Sequence, residues 1–121
     1  MTDFAPPPAA LIRKLDELAD RHAALQQQLN DPTFLADHTR VAAASREAGQ
    51  LEALVSTYRA YQRAVAQIAE LRQLAESRAD AEMANLAAEE LPEVIESAGR
   101  LIEQIKDELV AAEDNKVTSF F

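Results

Sequence analysis

Cysteine is absent from this chain, which removes disulfides, thiolate metal sites and cysteine nucleophiles together and fits a reducing compartment. Glycine occurs only twice, and three of the five prolines stand together as Pro6-Pro7-Pro8, so the long stretches between carry few helix breakers. β-branched residues are sparse, and with them the raw material of sheets. No window reaches the roughly eighteen apolar residues that a membrane-spanning helix needs. Residues 1–10 show no basic stretch leading into an apolar run, so they do not read as a secretory signal. These absences leave a soluble, cytoplasmic, all-α protein as the expectation.

What is present agrees with that class. The 121 residues are one domain's worth, and the 48% hydrophobic share leans on alanine, which buries little area and predicts a narrow core. Asp37 to Arg78 runs without a proline and with one glycine, Gly49. Along it Leu51, Leu54, Tyr58, Tyr61, Val65, Ile68 and Ala75 step by threes and fours, one stripe of an α-helix. At about 1.5 Å per residue such a helix spans about 60 Å, too long to hide inside a ball of this mass. The other segments are expected to lie along it, as an elongated antiparallel three-helix bundle or long helical hairpin.

Residues 1–8 read as a flexible lead-in, with Pro8 suited to a first helical turn; a proline-rich ligand for a partner's groove is the alternative. Leu11, Leu15, Leu18, His22, Leu25 and Leu29 then alternate steps of four and three, a heptad seam ending at Leu29. His22 takes a leucine position there and reads as a seam residue. Its one companion, His38, lies in the next connection, and no carboxylates join the two at ligand spacing, so no metal site is expected. Asn30-Asp31-Pro32 breaks the helix, with Asp31 capping a short turn through Phe34 and Leu35 and Phe34 tucking back between the helices it joins. Asp37 is the expected N-cap of the long helix, and so short a connection makes the first two long helices antiparallel neighbours.

Ser77 to Asp80 is expected to end the long helix, with Asp80 capping the next and Glu82 in its first turn. Met83, Leu86, Leu91, Val94, Ala98, Leu101, Ile105 and Leu109 continue helical spacing to about Ala112, with a kink or restart expected at Pro92. From Asp114-Asn115 a turn is expected, and Lys116-Val117-Thr118-Ser119-Phe120-Phe121 reads as strand-like. The domain organisation is therefore a lead-in over 1–8, a helical bundle over 9–113, and at 114–121 the start of a β-containing domain that is missing. A tail that is disordered or meets another chain is the plainer alternative.

Charge is unevenly placed. The net charge is −9, and residues 80–114 hold eleven Asp and Glu against Arg100 and Lys106, so the whole excess lies in the last third. Phosphates would be repelled, which argues against direct nucleic-acid binding by this domain. The acidic run reads as a solvated face that a basic partner would find attractive. Arg40, Arg46, Arg59, Arg63, Arg72 and Arg78 make the long helix mildly basic against Glu47, Glu52, Glu70 and Glu76, so it is expected to face the acidic third helix. Tyr58 and Tyr61 beside Arg59 and Arg63 have the makings of a base-stacking platform, but with no sheet or pocket they read as packing rings with wet hydroxyls.

The residues offer no Gly-rich phosphate loop, no nucleophile with its base, no zinc spacing and no paired carboxylates around a pocket. No catalytic, cofactor-binding or metal residue is assigned, and no enzyme activity is expected. Composition and spacing yield an elongated helical interaction domain.

A resemblance adds to this. Leu15-x-x-Leu18-x-x-Arg21-His22-x-x-Leu25, then Asp31-Pro32 and Leu35-Ala36-Asp37, Ser45-Arg46-Glu47 with Leu51-Glu52, Tyr58-Arg59-x-Tyr61, and Asp80-x-Glu82-Met83-x-x-Leu86-Ala87-x-Glu89-Glu90-Leu91 resemble, in order and spacing, the N-terminal helical region of the bacterial peptide chain release factor 1 family. Each piece is a common helical word; the order over about Leu11 to Leu109 carries the likeness. The chain departs from the family at Pro92 and in lacking Pro-Lys-Asp-Pro before the tail. The resemblance implies a part in translation termination at UAA and UAG codons, with the codon-reading tripeptide and the Gly-Gly-Gln loop in later domains, so no codon-reading or hydrolytic residue carries over. It implies as partners the ribosome, at the stalk base, and the recycling GTPase release factor, with the chain itself monomeric. A stand-alone helical adaptor or coiled-coil assembly protein, its heptads pairing between chains, is the alternative.

Overall fold

The computed structural model describes residues 6–118, with side chains described for 6–113. Four helices follow in order: α1 Ala9–Leu29, α2 Pro32–Leu35, α3 His38–Ala75 and α4 Ala81–Thr118. Local chemistry sets most of their ends. Asp31 accepts the Thr33 N–H at 3.0 Å, Asp37 the Arg40 N–H at 3.2 Å and Asp80 the Met83 N–H at 3.1 Å, so each expected aspartate cap is in place. Pro8, extended at φ −56° and ψ 143°, opens α1, and its carbonyl accepts from Leu11 N at 3.0 Å. The long helix stops at Ala75, three residues short of the Arg78 the sequence suggested, with Glu76 as C-cap.

α3 is the spine. At about 1.5 Å per residue its 38 residues span about 57 Å. α1 runs antiparallel along its first half: Asp16 meets Tyr58, and five residues on Arg21 meets Glu47. α4 returns along its length after the connection 76–80 and meets it at Thr57 through Glu108. One core cluster joins all three, with Leu15 of α1, Leu54, Tyr58, Tyr61, Ala64 and Ile68 of α3, and Ile95, Ala98 and Ile105 of α4. A second, Leu25, Ala44, Ala48, Leu51 and Val55, closes the α1–α3 end, with Phe34 of α2 packed against it. Phe34 thus tucks back as expected, and the Arg40 guanidinium lies over its ring at 5.2 Å. The accessible surface, 8483 Å², exceeds the about 6,500 Å² of a compact protein of 13.3 kDa. The core is thin, because alanine supplies much of it.

Several expectations are corrected. α4 continues to Thr118, so Asp114-Asn115 are helical where a turn was expected and residues 116–118 are helical where a strand was expected; Ser119 to Phe121 lie outside the described residues. Elongating an existing helix fixes one residue per hydrogen bond gained, and the modest helix penalties of Val117 and Thr118, up to about 0.7 kcal/mol each, do not outweigh that. α4 also runs through Pro92 without restarting. Pro92 and Ala88 are both exposed, so the ring displaces a carbonyl that water can reach. Met83 and Leu86 continue the helical spacing of the apolar positions, yet they are 46% and 56% exposed, and Ala87 is buried instead. Near its start α4 meets only α3, and Met83 and Leu86 stay outside that contact.

Candidate docking surface

The polar side chains with defined partners are structural. The buried Tyr58 hydroxyl donates to Asp16 Oδ1 at 2.6 Å, so it is tied across helices where a wet hydroxyl was expected. Burial first, and then the bond to Asp16 and its charge, push the Tyr58 phenol up to about 12. Burial likewise raises Tyr61. Both rings are core, which leaves no stacking platform at this place. Thr57 is buried, its hydroxyl 2.9 Å from the Ala53 carbonyl and 3.0 Å from both Glu108 oxygens. The Gln104 amide donates to Glu108 at 2.7 Å and to the Thr57 hydroxyl at 3.4 Å. Sequence reasoning missed this group, because only the facing helix gives Thr57 its partner.

The expected charge pairing between α3 and α4 is replaced by that hydrogen-bonded group. The ion pairs defined among the described residues join Arg21 of α1 to Glu47 of α3, through both carboxylate oxygens, and Lys106 to Glu103 within α4. The Glu47 hydrogen bond and charge raise the Arg21 guanidinium further. Both pairs are solvated and contribute about 0–1 kcal/mol each. Of the two histidines, His22 sits half-buried in the seam with its Nε2 buried and unpartnered, and His38 is exposed at the start of α3. Among the described residues no group of three or more His, Asp or Glu is placed to hold a metal ion. No helix there is long and apolar enough to cross a membrane.

Three surface features remain. A groove of about 680 Å³ lies between α1, α3 and α4, floored by Leu18, Leu51, Leu109 and Ala112 and edged by Lys14 and Arg46. The outer side of α4 exposes Glu82, Glu89, Glu93, Glu96, Glu103 and Asp107, steps of three, four and seven that repeat along one helix face. At the far end of the α3–α4 hairpin, Leu74, Met83 and Leu86 are 40%, 46% and 56% exposed. Leu86 follows Met83 by one turn, and Leu74 stands in the last turn of α3 across the connection, so the three share one end of the molecule. Arg78, in the connection, is exposed. Exposed apolar side chains that share one end of a molecule make a candidate contact surface.

Fold and surface together define a class: an elongated all-α module with an acidic flank and exposed apolar side chains at one end. The PCRF domain model matches residues 18–120. The chain belongs to the PCRF domain family. It is similar to peptide chain release factor 1 of Levilactobacillus brevis, 34% identical over 105 residues that cover 87% of this chain and 29% of that protein. It is similar also to peptide chain release factor 1 of Magnetococcus marinus, 43% identical over 82 residues, 67% of this chain and 23% of that protein. The chain spans less than a third of the length of each relative. No solved structure matches it significantly.

Proposed function

We propose that this chain is the N-terminal, docking part of a peptide chain release factor that acts in the cytoplasm at UAA and UAG stop codons. The observation that carries the reading is the PCRF match over residues 18–120, laid on a helical rod with an apolar tip. The rod positions a neighbour: its tip meets the ribosome at the stalk base, and its flank serves the recycling GTPase release factor. The codon-reading and hydrolysis-promoting regions belong to the remainder of the longer protein. The chain itself is not an enzyme, binds no cofactor and does not engage RNA directly, since the acidic face of α4 repels phosphates.

The test is a pair of assays on the purified 121-residue chain. Pelleting with ribosomes is expected to show binding that Leu74→Ser with Leu86→Ser weakens by about tenfold, the size expected when a small apolar contact is lost. Peptide release from ribosomes stalled at a stop codon is expected to stay at the background rate. Stop-codon-dependent release by this chain, or no ribosome binding at all, overturns the reading. Light scattering separates the adaptor alternative, which requires a stable dimer.

A further inference from the structure

The tip carries one atom that can change its character. Met83 is the third residue of α4, 46% exposed, and its own backbone N–H is held by Asp80 at 3.1 Å, so a capped turn presents the side chain outward. It belongs to neither core cluster. Leu74 and Leu86, its apolar neighbours at that end, cannot be oxidised by peroxide. A thioether is the soft, oxidisable member of an apolar surface, and its reactivity follows exposure.

We propose that Met83 is a reversible oxidation site that converts the hairpin tip from an apolar to a polar surface without unfolding the rod. A peroxide is the oxidant: a sulfur lone pair attacks the near peroxide oxygen, the O–O bond breaks, and the departing hydroxide takes up the proton to leave as water. Sulfur gains one oxygen and the peroxide is reduced. A thiol-dependent reductase of the methionine sulfoxide class reverses the step, two thiols becoming a disulfide and the sulfoxide oxygen leaving as water. The sulfoxide is a strong acceptor at the apolar end of the hairpin, so apolar contact made through Met83 is lost, whereas the Asp80 cap and both core clusters do not involve the sulfur. Its consequence for ribosome docking rests on the function proposed above; the chemistry of the site does not.

The experiment treats the purified chain with dilute hydrogen peroxide and follows the gain of about 16 Da by peptide mass spectrometry, which separates Met83 from Met1. Met83 is expected to oxidise within about threefold of the rate of methionine in an unfolded peptide, with helix content and Tm unchanged. Fluorescence of an apolar dye bound at the tip is expected to fall at least about twofold, Met83→Gln to reproduce the fall, and Met83→Leu to resist it under the same treatment. Leu74→Ser with Leu86→Ser assigns the dye to the tip by lowering the signal before oxidation. Protection of Met83 by about tenfold or more, loss of helix on oxidation, or unchanged dye binding overturns the proposal. Ribosome pelleting of oxidised and reduced chain is the separate arm: a reduced chain that does not bind counts against the docking function alone, and equal binding of both forms counts against the switch.

Discussion

Tyr58 links α3 to α1 through a hydroxyl that is buried yet bonded to an exposed carboxylate, and this makes one core residue sensitive to alkali. Its folded value of about 12 lies above the ordinary 10. The fold therefore favours the protonated phenol, and that contribution is complete below about pH 10 and is lost as pH rises through about 12. Tyr58→Phe is expected to cost about 1 kcal/mol at pH 7, from one hydrogen bond to a charged but solvated partner. It is also expected to flatten the fall in urea midpoint between about pH 10 and 12, Tyr61 supplying the slope that remains. Equal alkaline slopes in the two proteins would refute this. His22 offers the opposite case: its Nε2 is buried without a partner, a desolvation cost the seam carries for no bond in return. His22→Leu restores the heptad and is expected to stabilise by about 1 kcal/mol, raising Tm by about 4 °C in a thermal melt. A lower Tm would mean that the imidazole does structural work here.

At the scale of elements, α3 is buried on two flanks. Its contacts with α1 use Ala44, Ala48, Leu51, Val55 and Tyr58, and those with α4 use Thr57 and the residues around Ile68, so apolar positions are spread around the helix. That spread is why the sequence showed the helix's length and the stripe through Leu51, Tyr58 and Ile68, but not the burial of Ala44, Ala48, Val55 and Thr57 away from it. The aspartate caps were legible for the reverse reason, since a cap depends on residues two or three positions away. α4 carries the anomaly of an internal proline on its exposed side. Pro92→Ala restores one backbone hydrogen bond and removes the clash with the Ala88 carbonyl, against a gain in unfolded-chain entropy. The net expected effect is a stabilisation of about 1–3 kcal/mol in urea unfolding. A destabilised variant would show that Pro92 itself helps α4 to follow α3.

For the whole molecule the measurable quantity is shape. A rod of about 57 Å with the thickness of packed helices has a radius of gyration of about 17–18 Å, against about 14 Å for a compact chain of this length. Small-angle scattering in moderate salt is expected to give the larger value at the mass of one chain. A value near 14 Å would contradict the rod, and twice the mass would favour pairing between copies. The single-chain expectation has a physical basis: the α1 seam that could zip to another copy is already covered by α3 through Leu15 and Leu25, each 1% exposed.

The three long helices, the breaks near 30–37 and 76–80 and the acidic last third follow from the sequence alone, because spacing, capping and charge are local properties of the chain. The docking tip shows the limit of that reading. Met83 and Leu86 obey the helical period as faithfully as Ile105, and nothing in their spacing distinguishes them. Ile105 is fully buried because α3 lies against it and α1 joins the same core, while near the start of α4 only α3 is present. Burial belongs to the pair of surfaces that meet, so which apolar residues became core and which were left exposed was decided by the tertiary structure.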